Sequence, residues 1–275
     1  MRKDEFPQTP ADVRAIYDRV TAGEIDERSR PDGRLFRKEG VDVVGAGGKI
    51  LRRGLEPEEK ITHALGQMIA FVRNDDVPAL YSAAVSHYLF EYAHPFYDGN
   101  GRTGRYLLSL LLSKTLSAPT ALSLSRAMAE SRSEYYRAFK SADKAMNRGE
   151  LTFFVYTILG LVQSAQAGVV ERLEKAAKAH ADLSAAMEVV AAEENLKAKG
   201  RRIVSMLLQY EAFGLLGDAP LREIAELLQV KEQMARKHVS ALEAKGICER
   251  RRKYSPVSFA LTQAFKERHG IGAQE

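Results

Sequence analysis

A chain of 275 residues with 45% hydrophobic and 28% charged side chains has the composition of a soluble globular protein and is long enough for two domains. A formal net charge of +5 permits an anionic partner without requiring one. One cysteine, Cys248, excludes an internal disulfide and suits a reducing compartment. The start MRKDEFPQTP is charged and proline-broken, which reads as neither a signal peptide nor an anchor. The longest apolar run, LTFFVYTILGLV (151–162), is too short to span a bilayer, so the expectation is a cytoplasmic protein with no membrane partner.

Residues 1–33 read as an N-terminal helical segment. The stretch 30–54 reads as a β-hairpin, with β-branched VDVV before the glycines of Gly45-Ala46-Gly47-Gly48 and a second strand through Lys49 to Arg52. From 56 onward the periodicity turns helical. Ile61, Leu65, Met68, Ile69 and Val72 share one face, and Tyr81, Val85, Tyr88, Leu89 and Tyr92 another. HPFYDGNGRTGR (94–105) interrupts that pattern, and TGRYLLSLLLSK resumes it as a buried helix. Helices over 131–146 and 150–165 complete an all-helical core.

Residues 166–200 form an alanine- and charge-rich helix. Val169, Leu173, Ala176, His180, Leu183, Met187 and Val190 alternate by four and three along it. It reads as a linker helix packed on its own chain, with a homodimeric coiled coil as the alternative. The last domain, 201–275, reads as a helix, a helix–turn–helix with its turn at Gln229-Val230, and a two-stranded ribbon with a basic tip. That order resembles the winged-helix family. Lys and Arg crowd the stretch 231–253. Arg236, Lys237 and His238 fall on the candidate recognition helix and Arg250 to Lys253 on the wing tip, an arrangement suited to DNA phosphates. Protein binding by this domain is the open alternative.

The chemistry concentrates in the loop at 94–105. A glycine-rich turn before a helix makes an anion cradle from free backbone N–H groups and the positive end of the helix dipole. Gly99 and Gly101 allow close approach of a phosphate, and Asn100 adds a side-chain donor. Arg102 and Arg105 stand three apart on the new helix and can clamp further phosphates. Asp98 is a hard oxygen ligand for a phosphate-bridging Mg²⁺, and His94 is a base at the preceding helix end. Phe96 reads as the anchor of the loop in the core. Together these groups point to nucleotide phosphoryl chemistry with a hydroxyl nucleophile.

The stretch resembles the Fic family signature H-x-F-x-(D/E)-G-N-G-R-x-x-R at every fixed position: His94, Phe96, Asp98, Gly99, Asn100, Gly101, Arg102 and Arg105. The resemblance covers roughly 34–165, taken as the catalytic domain, and implies a mainly α fold: a Fic-type helical bundle with a hairpin flap, followed by the winged helix-turn-helix domain. It implies transfer of AMP from ATP to a Ser, Thr or Tyr hydroxyl of a target protein. His94, Asn100 and Arg102 would be catalytic, with His94 as general base. Phe96, Gly99, Asn100, Gly101, Arg102 and Arg105 would contact the nucleotide, Asp98 would hold Mg²⁺, and the hairpin of 36–50 would present the target segment as an added strand. The alternative is a DNA-binding regulator whose Fic domain senses nucleotide or transfers another group, such as a different nucleotide, phosphate or phosphocholine. The family's inhibitory pattern (S/T)-x-x-x-E-(G/N) has no full match in the chain: Glu39-Gly40 and Glu194-Asn195 lack the hydroxyl residue, and Ser184-x-x-x-Glu188 precedes Val189.

Overall fold

The structure is a computed structural model that describes residues 6–44, 50–214, 216–252 and 256–271. The chain divides into two compact units, Met1–Val170 and Glu171–Glu275.

The first unit opens with α1 (Pro10–Val20). Thr9 caps it: the Thr9 hydroxyl accepts from the Asp12 N–H at 3.3 Å, the Asp12 carboxylate accepts from the Thr9 N–H at 2.8 Å, and Pro10 suits the first turn. Strands β1 (Asp42–Val44) and β2 (Ile50–Arg53) pair antiparallel with Val43 opposite Arg52, which gives the expected hairpin. Its turn, 45–49, lies outside the described residues. Helices α2 (Glu58–Val72), α3 (Ala79–Ala93) and α4 (Asn100–Leu112) follow, and α3 packs between the other two. Then come α5 (Ala118–Glu130), which the sequence reading passes over, and α6 (Arg132–Ala142).

α7 (Thr152–Glu193) joins the helix expected over 150–165 to most of the one expected over 166–200 as a single 42-residue helix. By length and composition it is apolar enough to cross a membrane. Its first turns are nonetheless built into a protein core, where Phe154, Val155, Ile158, Leu161 and Val162 are buried among Tyr88, Tyr135, Phe139 and Leu108. A second core, of Tyr17, Phe36, Ile61, Leu65, Phe90 and Phe96, lies beneath the glycine loop.

In the second unit the last turns of α7 supply Met187, Val190 and Ala191 to a separate core. The chain breaks at Asn195, which takes a left-handed conformation, and restarts as α8 (Ala198–Phe213). β3 (Ala219–Pro220), α9 (Leu221–Leu228), α10 (Glu232–Glu243), β4 (Cys248–Arg252), β5 (Ser258–Leu261) and α11 (Gln263–Arg268) complete it. The sheet order is β3-β5-β4, antiparallel throughout, so the expected two-stranded ribbon carries a third short strand. Gln229 turns the chain between α9 and α10 with φ +56°. Ile203, Leu207, Ile224, Val239, Phe259 and Phe265 are fully buried between these helices and the sheet.

Candidate active site

His94 is where α3 ends. It takes the left-handed conformation, φ 47°, and its N–H still bonds back to Phe90 O at 3.0 Å. Such a backbone is uncommon for a residue other than glycine and persists only where surroundings impose it. Arg37 imposes it. The guanidinium is fully buried and donates to His94 O at 2.9 Å, Glu39 O at 2.6 Å and Leu55 O at 2.8 Å, while the Arg37 backbone N–H bonds Pro95 O at 3.2 Å. Gly54 makes this possible, since a Cβ there would lie 2.3 Å from Arg37 Nη2.

Arg52 of β2 secures the same corner from the hairpin. It donates to Tyr92 O at 2.7 Å and to Glu91 O, and pairs with Asp143 at 3.0 Å beyond the end of α6. Asp143 also accepts the Tyr88 hydroxyl at 2.9 Å. One arginine thus ties hairpin, α3 and α6 together.

His94 itself is largely buried. Burial, and then the nearby Arg52 and Arg37 charges, lower its pKa to about 4, so the ring is neutral at physiological pH. Nδ1 stands 3.3 Å from Glu91 O. A carbonyl can only accept, so that contact fixes the proton on Nδ1 and leaves Nε2 as the acceptor, the form a general base needs.

The loop then runs inward at Phe96. This ring is fully buried, stacks on Tyr17 at 3.7 Å and meets Phe36 edge-on at 5.6 Å. It anchors the loop and has no surface left for a nucleotide, which corrects its placement among the ligand contacts. Tyr97 fastens the outer side, donating to Asp32 at 2.9 Å and accepting from Glu39 N at 3.1 Å. The Asn100 side chain closes the loop on itself, accepting from Phe96 N at 3.0 Å and donating to Phe96 O at 2.7 Å. It is 3% exposed, and its amide is engaged within the loop itself.

Gly99 is the N-cap of α4, with φ 83° and no side chain to cap the helix. The first N–H groups of α4 therefore lack both intrahelical and side-chain acceptors, and the positive end of its dipole faces the loop. A Cβ on Gly99 would also meet Thr21 at 2.9 Å and Tyr17 at 3.0 Å.

The two motif arginines diverge. Arg102 pairs with Glu24, which follows α1, and with Asp98 at 3.2 Å. Arg105 leans back over Gly101, where a Cβ would lie 3.0 Å from its Nη1. Both border a groove of about 550 Å³ shared with Tyr106, Ser109, Leu122 and Ser125. Arg105 also borders a small cavity of about 60 Å³ with Val43, Arg52, Glu91, Gly101 and Tyr135, which places the hairpin beside the α4 N-terminus.

Asp98 accepts from the Gly99 N–H at 2.6 Å and from Arg102, yet its side chain is 58% exposed. Among the described residues no group of three or more His, Cys, Asp and Glu could hold a metal by itself. One exposed carboxylate beside a phosphate cradle fits the other mode, in which Mg²⁺ is held by a single carboxylate and by substrate phosphates.

Sequence reasoning missed Arg37, Arg52 and Glu91. All three lie outside the loop, and only Gly104, a glycine inside an apolar helix, signals a close approach there.

A left-handed histidine, a glycine cap and an uncapped helix start are the parts of a phosphate-handling loop, and residues 7–112 match the Fic/DOC family model. The first unit therefore carries a Fic/DOC family domain. The chain is 34% identical over 100 residues to Protein adenylyltransferase fic-1 of Caenorhabditis briggsae, covering 35% of this chain and 18% of that protein. It is 41% identical over 73 residues to Protein adenylyltransferase fic-1 of Caenorhabditis elegans, covering 26% and 13%. It thus spans less than a fifth of the length of these curated relatives. A crystal structure of a Fic family protein from Desulfovibrio desulfuricans G20 shares the fold, with a TM-score of 0.53 and 19% identity over 95% of this chain and 71% of that one.

Proposed function

We propose that the first unit transfers AMP from ATP to a hydroxyl of a target protein. The observation that carries this reading is a neutral histidine, held with Nε2 as acceptor, one loop away from an uncapped helix start lined by two arginines. His94 Nε2 takes the proton of the target hydroxyl as the oxygen attacks the α-phosphorus. The α4 N–H groups at Asn100 and Gly101 stabilise the charge that builds on the phosphate, and Arg102 and Arg105 bind the pyrophosphate portion. Mg²⁺, when bound, neutralises phosphate charge, and Asp98 is the residue that would hold it. The target segment adds as a strand to the hairpin beside this site, which orients its hydroxyl.

The test uses ATP labelled at the α-phosphate, with wild type and His94→Ala in parallel. Label entering a protein acceptor only with wild type is the expected result. ATP binding without His94-dependent label in any acceptor sinks the reading. The same assay with labelled GTP, CTP and UTP decides the donor.

A second activity is proposed for the second unit, read as a winged helix that contacts duplex DNA. The order α8, β3, α9, α10, β4, β5 favours it, as do Arg236 and Lys237 exposed on α10 and Arg250 to Arg252 exposed on β4. His238 drops out of this face, because its Nε2 is buried, and Lys253 lies outside the described residues. A gel shift with duplex DNA that weakens steeply with salt, and is lost when Arg250 to Arg252 are replaced by Gln, is the expected outcome. The absence of any duplex shift overturns it, and binding that persists in the triple variant removes β4 from the contact face.

A further inference from the structure

Glu91 sits on the last turn of α3, three residues before His94, and α4 admits it only because residue 104 is glycine. A Cβ at 104 would lie 2.4 Å from Glu91 Oε1. Glu91 Oε2 stands 3.8 Å from His94 Nδ1, the nitrogen that already meets the Glu91 carbonyl at 3.3 Å. Oε1 is buried without a hydrogen-bond partner. The charges of Arg52 on β2 and Arg105 on α4 act on the carboxylate, and Tyr135 on α6 borders the same small cavity. Asp143 is already paired with Arg52, and the Arg37 charge, held at His94 O, also acts on His94. Burying a carboxylate with one oxygen unmatched is unfavourable for folding, so its presence beside the base calls for a role.

We infer that Glu91 is a positioning residue for the transfer step: its ionised carboxylate reinforces the Nδ1–H form that the Glu91 carbonyl sets and stabilises the imidazolium formed when Nε2 takes the hydroxyl proton. The inference rests on the adenylyl-transfer reading of the site. In that step the target oxygen bonds to the α-phosphorus, the bond from that phosphorus to the β-phosphate oxygen breaks, and pyrophosphate leaves. The hydroxyl proton ends on Nε2, and Glu91 keeps its charge throughout. Burial pushes the Glu91 carboxyl up to about 7 against the pull of Arg105 and Arg52, so the ionised form is gained as pH rises through neutrality.

The experiment compares the full chain with Glu91→Gln and Glu91→Asp, measuring transfer of labelled AMP between about pH 5.5 and 9. Wild-type kcat is expected to rise through pH 7. Glu91→Gln is expected to lose that rise and at least about tenfold in kcat, with the KM for ATP within about twofold. Glu91→Asp is expected to restore part of the rate. A second readout needs no turnover: ¹⁵N resonances of the His94 ring should report the Nδ1–H form and a step near pH 7 as Glu91 ionises, absent in Glu91→Gln. A Glu91→Gln enzyme with the wild-type rate and profile, or a wild-type ring with no step, overturns the inference. If wild type labels no acceptor, the adenylyl-transfer reading fails, while the ring titration still decides whether Glu91 and His94 are paired.

Discussion

Glu24 and Arg102 are joined by an ion pair across 78 residues of chain, linking the turn after α1 to the first arginine of the glycine loop. The expected inhibitory pattern is absent from the sequence, yet a glutamate does hold a motif arginine. Its grip is weak. The two side chains are 62% and 32% exposed, and pairs of that kind are worth about 0–1 kcal/mol. Glu24→Ala should therefore lower the KM for ATP by no more than about fivefold, without changing kcat. Salt of about 0.5 M should erase the difference. ATP titrations of the transfer rate measure this, and a drop beyond tenfold would make Glu24 a true lock.

Arg37→Met should be severe. It strands three carbonyls, of His94, Glu39 and Leu55, to which the Arg37 guanidinium donates. At about 1–3 kcal/mol for each part-buried carbonyl left without its donor, a loss of roughly 3–9 kcal/mol is expected. Arg37→Lys should not restore it, since an ammonium lacks the planar fork. Urea denaturation gives the stability.

Glu91→Gln should stabilise the fold above neutral pH while slowing transfer. A carboxyl raised from 4.5 to about 7 disfavours the folded state once the pH passes 4.5, and the full penalty, about 3 kcal/mol, is present above pH 7. Its amide analogue is free of that penalty. Denaturant midpoints at pH 8 should therefore be higher for Glu91→Gln than for wild type, and equal or lower values contradict the argument.

Acid should act in the opposite sense through the histidines. His94 and His87 are lowered by burial from 6.5 to about 4 and about 3. Their stabilising contributions are complete above pH 6.5 and are lost as the pH falls through those folded-state values. His87→Gln, which cannot charge, should flatten the decline in melting temperature between pH 6 and 4.

Cys248 is 2% exposed, and burial pushes its thiol up to about 12. Thiol reagents should leave it untouched in the native chain and label it only after unfolding.

The turn of the loop is legible in the sequence because its backbone preferences are local: Gly99 takes the positive φ that a glycine allows and starts α4. The hairpin and the turn at Gln229 were legible for the same reason, each being set by short-range backbone preference. The supports of the loop were not. Arg37 and Arg52 lie in charged surroundings that read as solvated surface, and only the fold buries their guanidinium groups against carbonyls 57 and 39–40 residues away. Phe96 as a core anchor is legible in the sequence, whereas the nucleotide contacts that the resemblance implies for Phe96 and Asn100 come from a motif, which gives spacing but not which side of the loop is packed.

Arg37 also sets an order of assembly. Its three acceptors lie 2, 18 and 57 residues away, in the segment before the hairpin, the segment after it and the end of α3. Until all three have docked, His94 lacks the guanidinium contact that favours its left-handed turn. The turn at His94 is thus a product of long-range docking rather than of local sequence.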